Sequence, residues 1–300
     1  PAALPASKKG FMAYQHIPVL LEEVLCYLDP HPGQVIVDGT FGFGGHGLRI
    51  ACAVGNEGKL IAVERDSRTL KEAEKNIAFS NYPQLILKQG NFAHITDIVR
   101  SCALDKVDGV LLDLGVNSYQ LDSAGYGISI KQNDPLDMRI DKKATSRTAL
   151  DLLRSLKEEE LANLLFENAN EYRSRRIASL IKSNITNIKS SGDLARIIAS
   201  GVSSRGRIHP ATKTFQALRI AVNDELKNLE QFFAQVLQVL NTGGRIAVIS
   251  FHSLEDRIVK NNFKKEPWVV INKKPITPSA EEVKNNPRAR SAKLRVAAKR

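Results

Sequence analysis

The chain has 300 residues, 43% of them hydrophobic and 25% charged, a balance that fits one large globular domain or a domain with an insertion and excludes disordered or fibrous classes. No apolar run is long enough to span a bilayer, so no membrane partner is expected. The formal charge of +11 favours a polyanionic partner, nucleic acid before acidic lipid, and most of the excess is local, since residues 260–300 carry twelve Lys and Arg against three Glu. Cys26, Cys52 and Cys102 are widely spaced and odd in number, which speaks against a disulfide framework or a zinc site and fits a reducing compartment; no metal is expected.

In chain order, residues 1–11 read as a frayed end, a remnant foreign to the native chain or a processed leader, with Met12 as a native start. From Gly33 strands and helices alternate. Strands are expected at 34–38, 59–64, 84–88 and 107–114, each a short apolar run, with helices near 45–54, 67–80 and 94–103 between them. That rhythm predicts a parallel sheet with helices on both faces. After Gly115 it breaks. Residues 126–210 contain no convincing strand, but helices are expected near 148–156, 157–169, 172–186 and 192–201, the first two opened by capping boxes at Thr148/Asp151 and Ser155/Glu158. The pattern is that of a helical substrate-recognition domain (126–210) inserted into a discontinuous sheet domain (12–125 and 211–300). One long helix is then expected over 211–240, stopped by Asn241-Thr-Gly-Gly244. A fifth strand at 245–251 and a helix at 253–265 follow. Strands at 268–272 and 292–297 finish the chain as a hairpin with a long, helix-free loop.

Asp38 closes the first strand and is followed by Gly42, Gly44 and Gly47 in a G-x-G-x-x-G arrangement, with Glu64 ending the second strand twenty-two residues after Gly42. The glycines let backbone approach a nucleotide cofactor, and the acid accepts hydrogen bonds from a ribose diol. This alone does not separate a dinucleotide from S-adenosylmethionine. Two features favour the latter. An acid at Asp38 suits the ammonium group of an amino-acid cofactor better than a phosphate, and an antiparallel finish is the habit of class I methyltransferases rather than dehydrogenases. The fold class expected is α/β, a class I Rossmann-like S-adenosylmethionine methyltransferase sheet with a terminal antiparallel hairpin and an inserted helical domain. Open parallel sheets bind ligands beyond the carboxyl ends of their strands. Phe92, a candidate to stack on adenine, and Asp113 also fall there.

Seven stretches then carry a resemblance. They are His16-Ile-Pro-Val-Leu-Leu-Glu-Glu23, Asp38-Gly-Thr-Phe-Gly-Phe-Gly-Gly-His46, Leu111-Leu-Asp-Leu-Gly-Val116, Asp134-Pro-Leu-Asp-Met-Arg139, His209-Pro-Ala-Thr-Lys-Thr-Phe-Gln-Ala-Leu-Arg219, Ser250-Phe-His-Ser-Leu-Glu-Asp-Arg257 and Asn286-Pro-Arg-Ala-Arg-Ser291. In this order, from about residue 16 onward, the chain resembles the bacterial cytosine-N4 methyltransferases of 16S ribosomal RNA, the MraW-like family of small-subunit methyltransferases. The resemblance implies S-adenosylmethionine as cofactor, with contacts from Gly44, Gly45 and His46. It also implies Glu64 at the ribose, Phe92 near the adenine, and Asp113 and Gln120 beside the methionine end. It further implies methylation of the exocyclic amine of a cytidine in the decoding region. The partner would be 16S ribosomal RNA or the small ribosomal subunit, in the bacterial cytoplasm or an organelle of bacterial descent; a homodimer is left open. The family more often has Asp at the position of Glu64, and residues 117–120 and 125–129 differ from its usual runs at the substrate lip.

Asp113 is the candidate catalytic residue, accepting a proton as the amine nitrogen becomes tetrahedral, with the Leu114 carbonyl as the alternative acceptor. No cysteine stands near Asp113 for methylation at ring carbon five. The run after Asp113, Leu-Gly-Val, also departs from the D-P-P-Y of DNA amino-methyltransferases, which favours single-stranded or looped RNA with its base splayed out. Candidate RNA contacts are the row Lys213, Gln216, Arg219 and Asn223 at helical spacing, and His252 and Ser253 after the fifth strand, where Ser253/Asp256 also reads as a capping box. Arg288, Arg290, Lys293 and Arg295 are candidates for phosphates. Competing readings are a nucleotide-dependent oxidoreductase, opposed by Asp38 and the hairpin, and a non-catalytic RNA-binding module, opposed by the intact glycine loop, Glu64 and Asp113. A DNA amino-methyltransferase is the third.

Overall fold

The computed structural model describes residues 18–203 and 209–300; the readings of residues 1–12 and of His16 and Ile17 lie outside them. After α1 (Leu21–Leu28), the alternation read from the sequence gives β1 (Val35–Asp38), α2 (Gly47–Val54), β2 (Lys59–Glu64), α3 (Ser67–Asn76), β3 (Leu85–Gln89), α4 (Ile95–Ser101) and β4 (Val107–Asp113). With β5 (Leu240–Ser250), β6 (Trp268–Val270) and β7 (Lys293–Lys299) they form a seven-stranded sheet in the order β3-β2-β1-β4-β5-β7-β6. The first five are parallel, and β7 runs antiparallel between β5 and β6.

Both faces of this sheet are covered, so successive strand residues feed two different apolar cores. Val37, Ile61, Val110, Leu112 and Ile246 pack with α4, α11 (Glu225–Val239) and α12 (Ser253–Phe263). Ile36, Leu60, Leu111 and Ala247 pack with α1 and α2. A row of aromatic rings crosses the first core. Phe92, Phe232, Phe233, Phe263 and Trp268 follow one another at centroid spacings of 6.0, 5.3, 5.6 and 5.5 Å, edge-on or tilted as their quadrupoles prefer. Between β4 and β5 the chain builds α5 (Ser118–Asp122), α6 (Ala149–Ser155), α7 (Glu158–Ala169), α8 (Ser174–Ser183), α9 (Ser191–Gly201) and α10 (Thr212–Asn223). Tyr126, Met138, Leu153, Leu165, Ile177 and Phe215 share a third core belonging to this helical layer.

Several expectations are corrected. The single helix over 211–240 is two, because Asp224 sits in the left-handed region (φ 52°), a conformation that Asp tolerates better than most residues. α10 contributes Phe215, Ala217, Leu218 and Val222 to the helical core, while α11 faces the sheet. The Gly-rich stop at 241–244 is instead the first part of β5, which pairs Leu240 with Val107 across an irregularity in register. The loop between β6 and β7 contains α13 (Ala280–Asn285) and a 3-10 turn (Pro287–Ser291). Ser279 caps α13 by accepting from the Glu282 amide at 3.1 Å, so an S-x-x-E signal was present. The Thr148/Asp151 capping box forms as read, but α7 opens at Lys157, whose amide donates to Glu160 at 2.7 Å; Ser155 donates back to the Leu152 carbonyl.

Phe232 is fully buried at the centre of the aromatic row. Phe232→Ala is expected to cost about 3–5 kcal/mol in urea unfolding, the range for an aromatic cavity in a core that cannot collapse. A loss below about 1 kcal/mol would show that the row is not under packing constraint.

Candidate active site

Asp38 is in register with Ala62 of β2 and Leu111 of β4. β1 therefore stops two residues short of both neighbours, and Glu64 and Asp113 flank the notch this leaves. Above it lies a cavity of about 370 Å³, lined by Gly42, Gly45, His46, Glu64, Phe92, Asp113 and Gln120 among others. Asp38 lies beneath the glycine loop, taking the Thr40 amide at 3.1 Å. The loop turns with Gly42 and Gly44 at positive φ, and the Gly42 amide donates to Glu64 Oε2 at 3.0 Å. A Cβ at Gly47 would stand 2.6 Å from the Phe41 ring and 2.9 Å from Asp38 Oδ2, so helix and strand meet too closely there for any side chain. His46 Nε2 donates to the Val19 carbonyl at 2.8 Å, and its Nδ1 lies 3.8 Å from Asp113 Oδ2.

The electrostatics of the notch are unusual. Burial pushes the Asp38 carboxyl up to about 7 against its Thr40 hydrogen bond. Burial also lifts Glu64 to about 7, although the Asp66 and Gly42 amides donate to it. Asp113 reaches about 8 through burial, with the charges of Asp38 and Glu255 adding to it. Asp113 Oδ1 is buried without a hydrogen-bond partner. An unsatisfied carboxylate oxygen in a cavity of acids fits a ligand that brings cations and hydrogen-bond donors. S-adenosylmethionine brings a sulfonium, an ammonium and a ribose diol, so the residues fit it.

Sequence reasoning missed four residues that shape this site. Asp66 is a hub. It caps α3 at Arg68 N and accepts from Thr69 Oγ1 and Gln120 Nε2, each at 3.1 Å, and from the Tyr126 hydroxyl. Gln120 thereby holds α5 to the end of β2, and its Oε1 takes the Asn117 amide at 3.1 Å. Tyr126 lies under the Arg68 guanidinium, 3.3 Å from the ring centroid. Arg65 lines the cavity and donates to the Asn223 carbonyl at 3.0 Å, tying the cofactor end of β2 to α10. Glu255 is the N3 residue of α12. Burial works to raise its carboxyl, but His252, the Phe251 amide and Arg219 outweigh it and hold it low. An Asp placed as the N-cap of α3 could have revealed Asp66, and an N-cap followed by an acid at the third helical position could have revealed Glu255. The expected Ser253/Asp256 box is displaced by one residue, to His252/Glu255.

A second cavity of about 420 Å³ shares Phe251 and Arg288 with the first and is lined by Lys131, Gln216, Arg219 and His252 among others. The helical row is not brought out to one surface. Asn223 is fully buried, donating to the Met138 and Arg219 carbonyls and accepting from the Ile140 amide. Arg219 forks onto Glu225 at 2.8 and 3.0 Å. Lys213 donates to the Asn170 carbonyl at 2.7 Å. Ser253 is exposed, with Asn170 Nδ2 at 3.5 Å from its hydroxyl. Arg295 is buried on β7 and bound to Asp256 at 2.6 Å, with Lys293 on the same carboxylate at 3.3 Å, so Arg295 is a structural partner rather than a phosphate contact. Arg288 pairs with Asp122 at 2.8 Å, and Arg290 is exposed. Ligand atoms of Glu225, His252 and Glu255 lie within 4.8 Å of one another and could hold a metal. Arg219 already occupies both oxygens of Glu225, and the His252 Nδ1 accepts from the Glu255 amide at 3.3 Å. None of the three cysteines lines either cavity.

The sheet, the glycine loop and the acid notch define the class, a Rossmann-like methyltransferase whose cofactor is S-adenosylmethionine. Within that class the chain belongs to the MraW methylase family, whose sequence profile matches residues 13–300. A Ribosomal RNA small subunit methyltransferase H from Gloeothece citriformis is 44% identical over 298 residues, covering 98% of this chain and 97% of its own. The one from Syntrophotalea carbinolica is 43% identical over 306 residues, covering 94% and 97%. Among solved structures, a putative rRNA methylase from Clostridium thermocellum is similar at a TM-score of 0.47 and 11% identity, with 93% of this chain and 95% of that one covered.

The raised carboxyls set a pH dependence. Without ligand, each keeps a proton that the unfolded chain has lost above about pH 4, so fold stability declines as pH rises from there to about 8. A cationic cofactor favours the ionised forms. Its affinity is therefore expected to rise between about pH 6 and 8 with release of protons, read by calorimetry in buffers of different ionisation enthalpy. A dissociation constant flat across that window would contradict the assignment of these groups to the cofactor site.

Proposed function

We propose that this chain methylates N4 of a cytidine in the decoding region of small-subunit ribosomal RNA, with Asp113 as the proton acceptor. That the relatives are ribosomal RNA small subunit methyltransferases supports the RNA substrate. The observation that carries the atomic reading is Asp113 Oδ1, buried and unpartnered at the carboxyl end of β4 in the cofactor cavity. S-adenosylmethionine supplies, when bound, a methyl group already activated by its sulfonium. What the protein must add is orientation and a place for a proton. The cytosine amine is a weak nucleophile because its lone pair is delocalised into the ring. As the nitrogen forms its new bond to carbon, it sheds a proton, and Oδ1 receives it. In the ligand-free site burial lifts the Asp113 carboxyl to about 8; the cationic cofactor returns it to the ionised form, which then takes the proton in a dry site.

The cavity that adjoins the cofactor site supports entry of a splayed-out nucleotide past Phe251 and Arg288. In this reading the helical region 126–210 acts as the substrate-recognition domain. Lys213, Gln216, His252, Ser253 and Arg290, on the sheet domain beside it, serve as further RNA contacts, and Arg288 exchanges Asp122 for a phosphate.

Labelled S-adenosylmethionine and small ribosomal subunits that lack the modification provide the test. N4-methylcytidine, identified by nucleoside mass spectrometry, is the expected product; cofactor binding with no label in RNA would remove the ribosomal assignment. Asp113→Asn is expected to lower kcat by about 10²–10⁴ while the dissociation constant of the cofactor changes far less. Full turnover in that variant would show that the base lies elsewhere.

A further inference from the structure

Tyr172 is 82% exposed and Phe166 47%, while the other large apolar side chains of the helical layer are buried or half-buried. Tyr172 stands between α7 and α8, with its ring edge-on to Phe166 at 6.1 Å. Lys213 Nζ lies 5.4 Å from the Tyr172 ring centroid and is fixed there by the Asn170 carbonyl. Arg175 and Arg176, on the first turn of α8, are exposed. Two acids are near. Glu171 is buried and takes the Arg173 amide and side chain, and Glu167 is exposed beside Phe166. Cations therefore dominate the exposed groups. The patch is also coupled to the catalytic end of the sheet. Asn170, which holds Lys213, reaches Ser253 with its side chain at 3.5 Å, and Ser253 follows His252 at the second cavity.

A tyrosine so exposed contributes nothing to the core. An aromatic face bordered by cations, beside a cavity proposed to admit a nucleotide, has the chemistry of a single-strand stacking platform. We propose that Tyr172, backed by Phe166 and Lys213, stacks an unpaired base of the substrate RNA next to the nucleotide being methylated. This rests on the RNA reading above. Stacking on a tyrosine ring is tolerant of base identity, so the platform would set the path of the strand while the cavity selects the base.

The test uses the full chain and a fluorescently labelled single-stranded oligocytidylate, read by anisotropy at low salt. Tyr172→Ala is expected to raise the dissociation constant about tenfold, and Tyr172→Phe to stay near the parent. Neither should alter cofactor affinity or thermal midpoint, because the side chain is exposed. No binding by the parent chain, equal binding by Tyr172→Ala, or equal losses in both variants would overturn the platform. So would a loss of self-association in Tyr172→Ala by light scattering with oligonucleotide binding intact, which would make the patch a protein interface. The two proposals separate cleanly. Oligonucleotide binding lost in Tyr172→Ala while the parent fails to methylate subunits leaves the platform standing without the ribosomal target. Methylation of subunits with Tyr172→Ala unimpaired in both assays removes the platform alone.

Discussion

Parallel strands paired in register deliver their carboxyl ends to one edge of the sheet, and everything at this site depends on that. Three stretches of chain, far apart in sequence, each end a strand with an acid, and the short β1 lets its neighbours overhang it by two residues. The acids Asp38, Glu64 and Asp113 cannot avoid one another. Among the described residues no Lys or Arg forms a salt bridge with any of the three, and the His46 ring stands 3.8 Å from Asp113; backbone amides and Thr40 do most of the work. Collecting like charges in a place that water barely reaches is costly unless protons or a cationic ligand join them. The fold accepts that cost at the point where the ligand binds.

How much of this was legible follows from the physics of each element. Strands buried on both faces read as unbroken apolar runs, so β1, β2 and β4 and the acids that end them could be read directly. The helix break at Asp224 could not. Its residues fit the helical spacing on either side, and what decides the break is a set of distant partners for Asn223: the Met138 carbonyl, the Ile140 amide and the Arg65 side chain at the Asn223 carbonyl. The cap of α12 was ambiguous because His252/Glu255 and Ser253/Asp256 satisfy one spacing rule in two registers. Only the burial of Glu255 selects the first.

The RNA-facing residues were the least readable. Helical spacing groups Lys213, Gln216, Arg219 and Asn223, but spacing does not say what the face meets. Here it meets the helical layer's own carbonyls and Glu225. A similar internal use of charge runs through the basic C-terminal segment, where Asp256 engages Arg295 and Lys293, and Asp122 engages Arg288. The formal charge of +11 therefore overstates the cations ready to meet a phosphate. Tyr172 was invisible for the opposite reason, since nothing in a single aromatic letter tells whether it will be buried.

The position of β7 has a consequence for biosynthesis. It is the last strand in chain order, yet it lies inside the sheet, between β5 and the three-residue β6. A nascent polypeptide that has released everything through residue 292 still presents the hydrogen-bonding groups of β5 as an open edge, beside a core that lacks Leu294 and Val296. The sheet closes only when Lys293–Lys299 arrives, and until then the intermediate is incomplete and self-adhesive at that edge. For a protein of this topology, elongation that slows or stops just before residue 293 leaves the β5 edge free to pair with another chain.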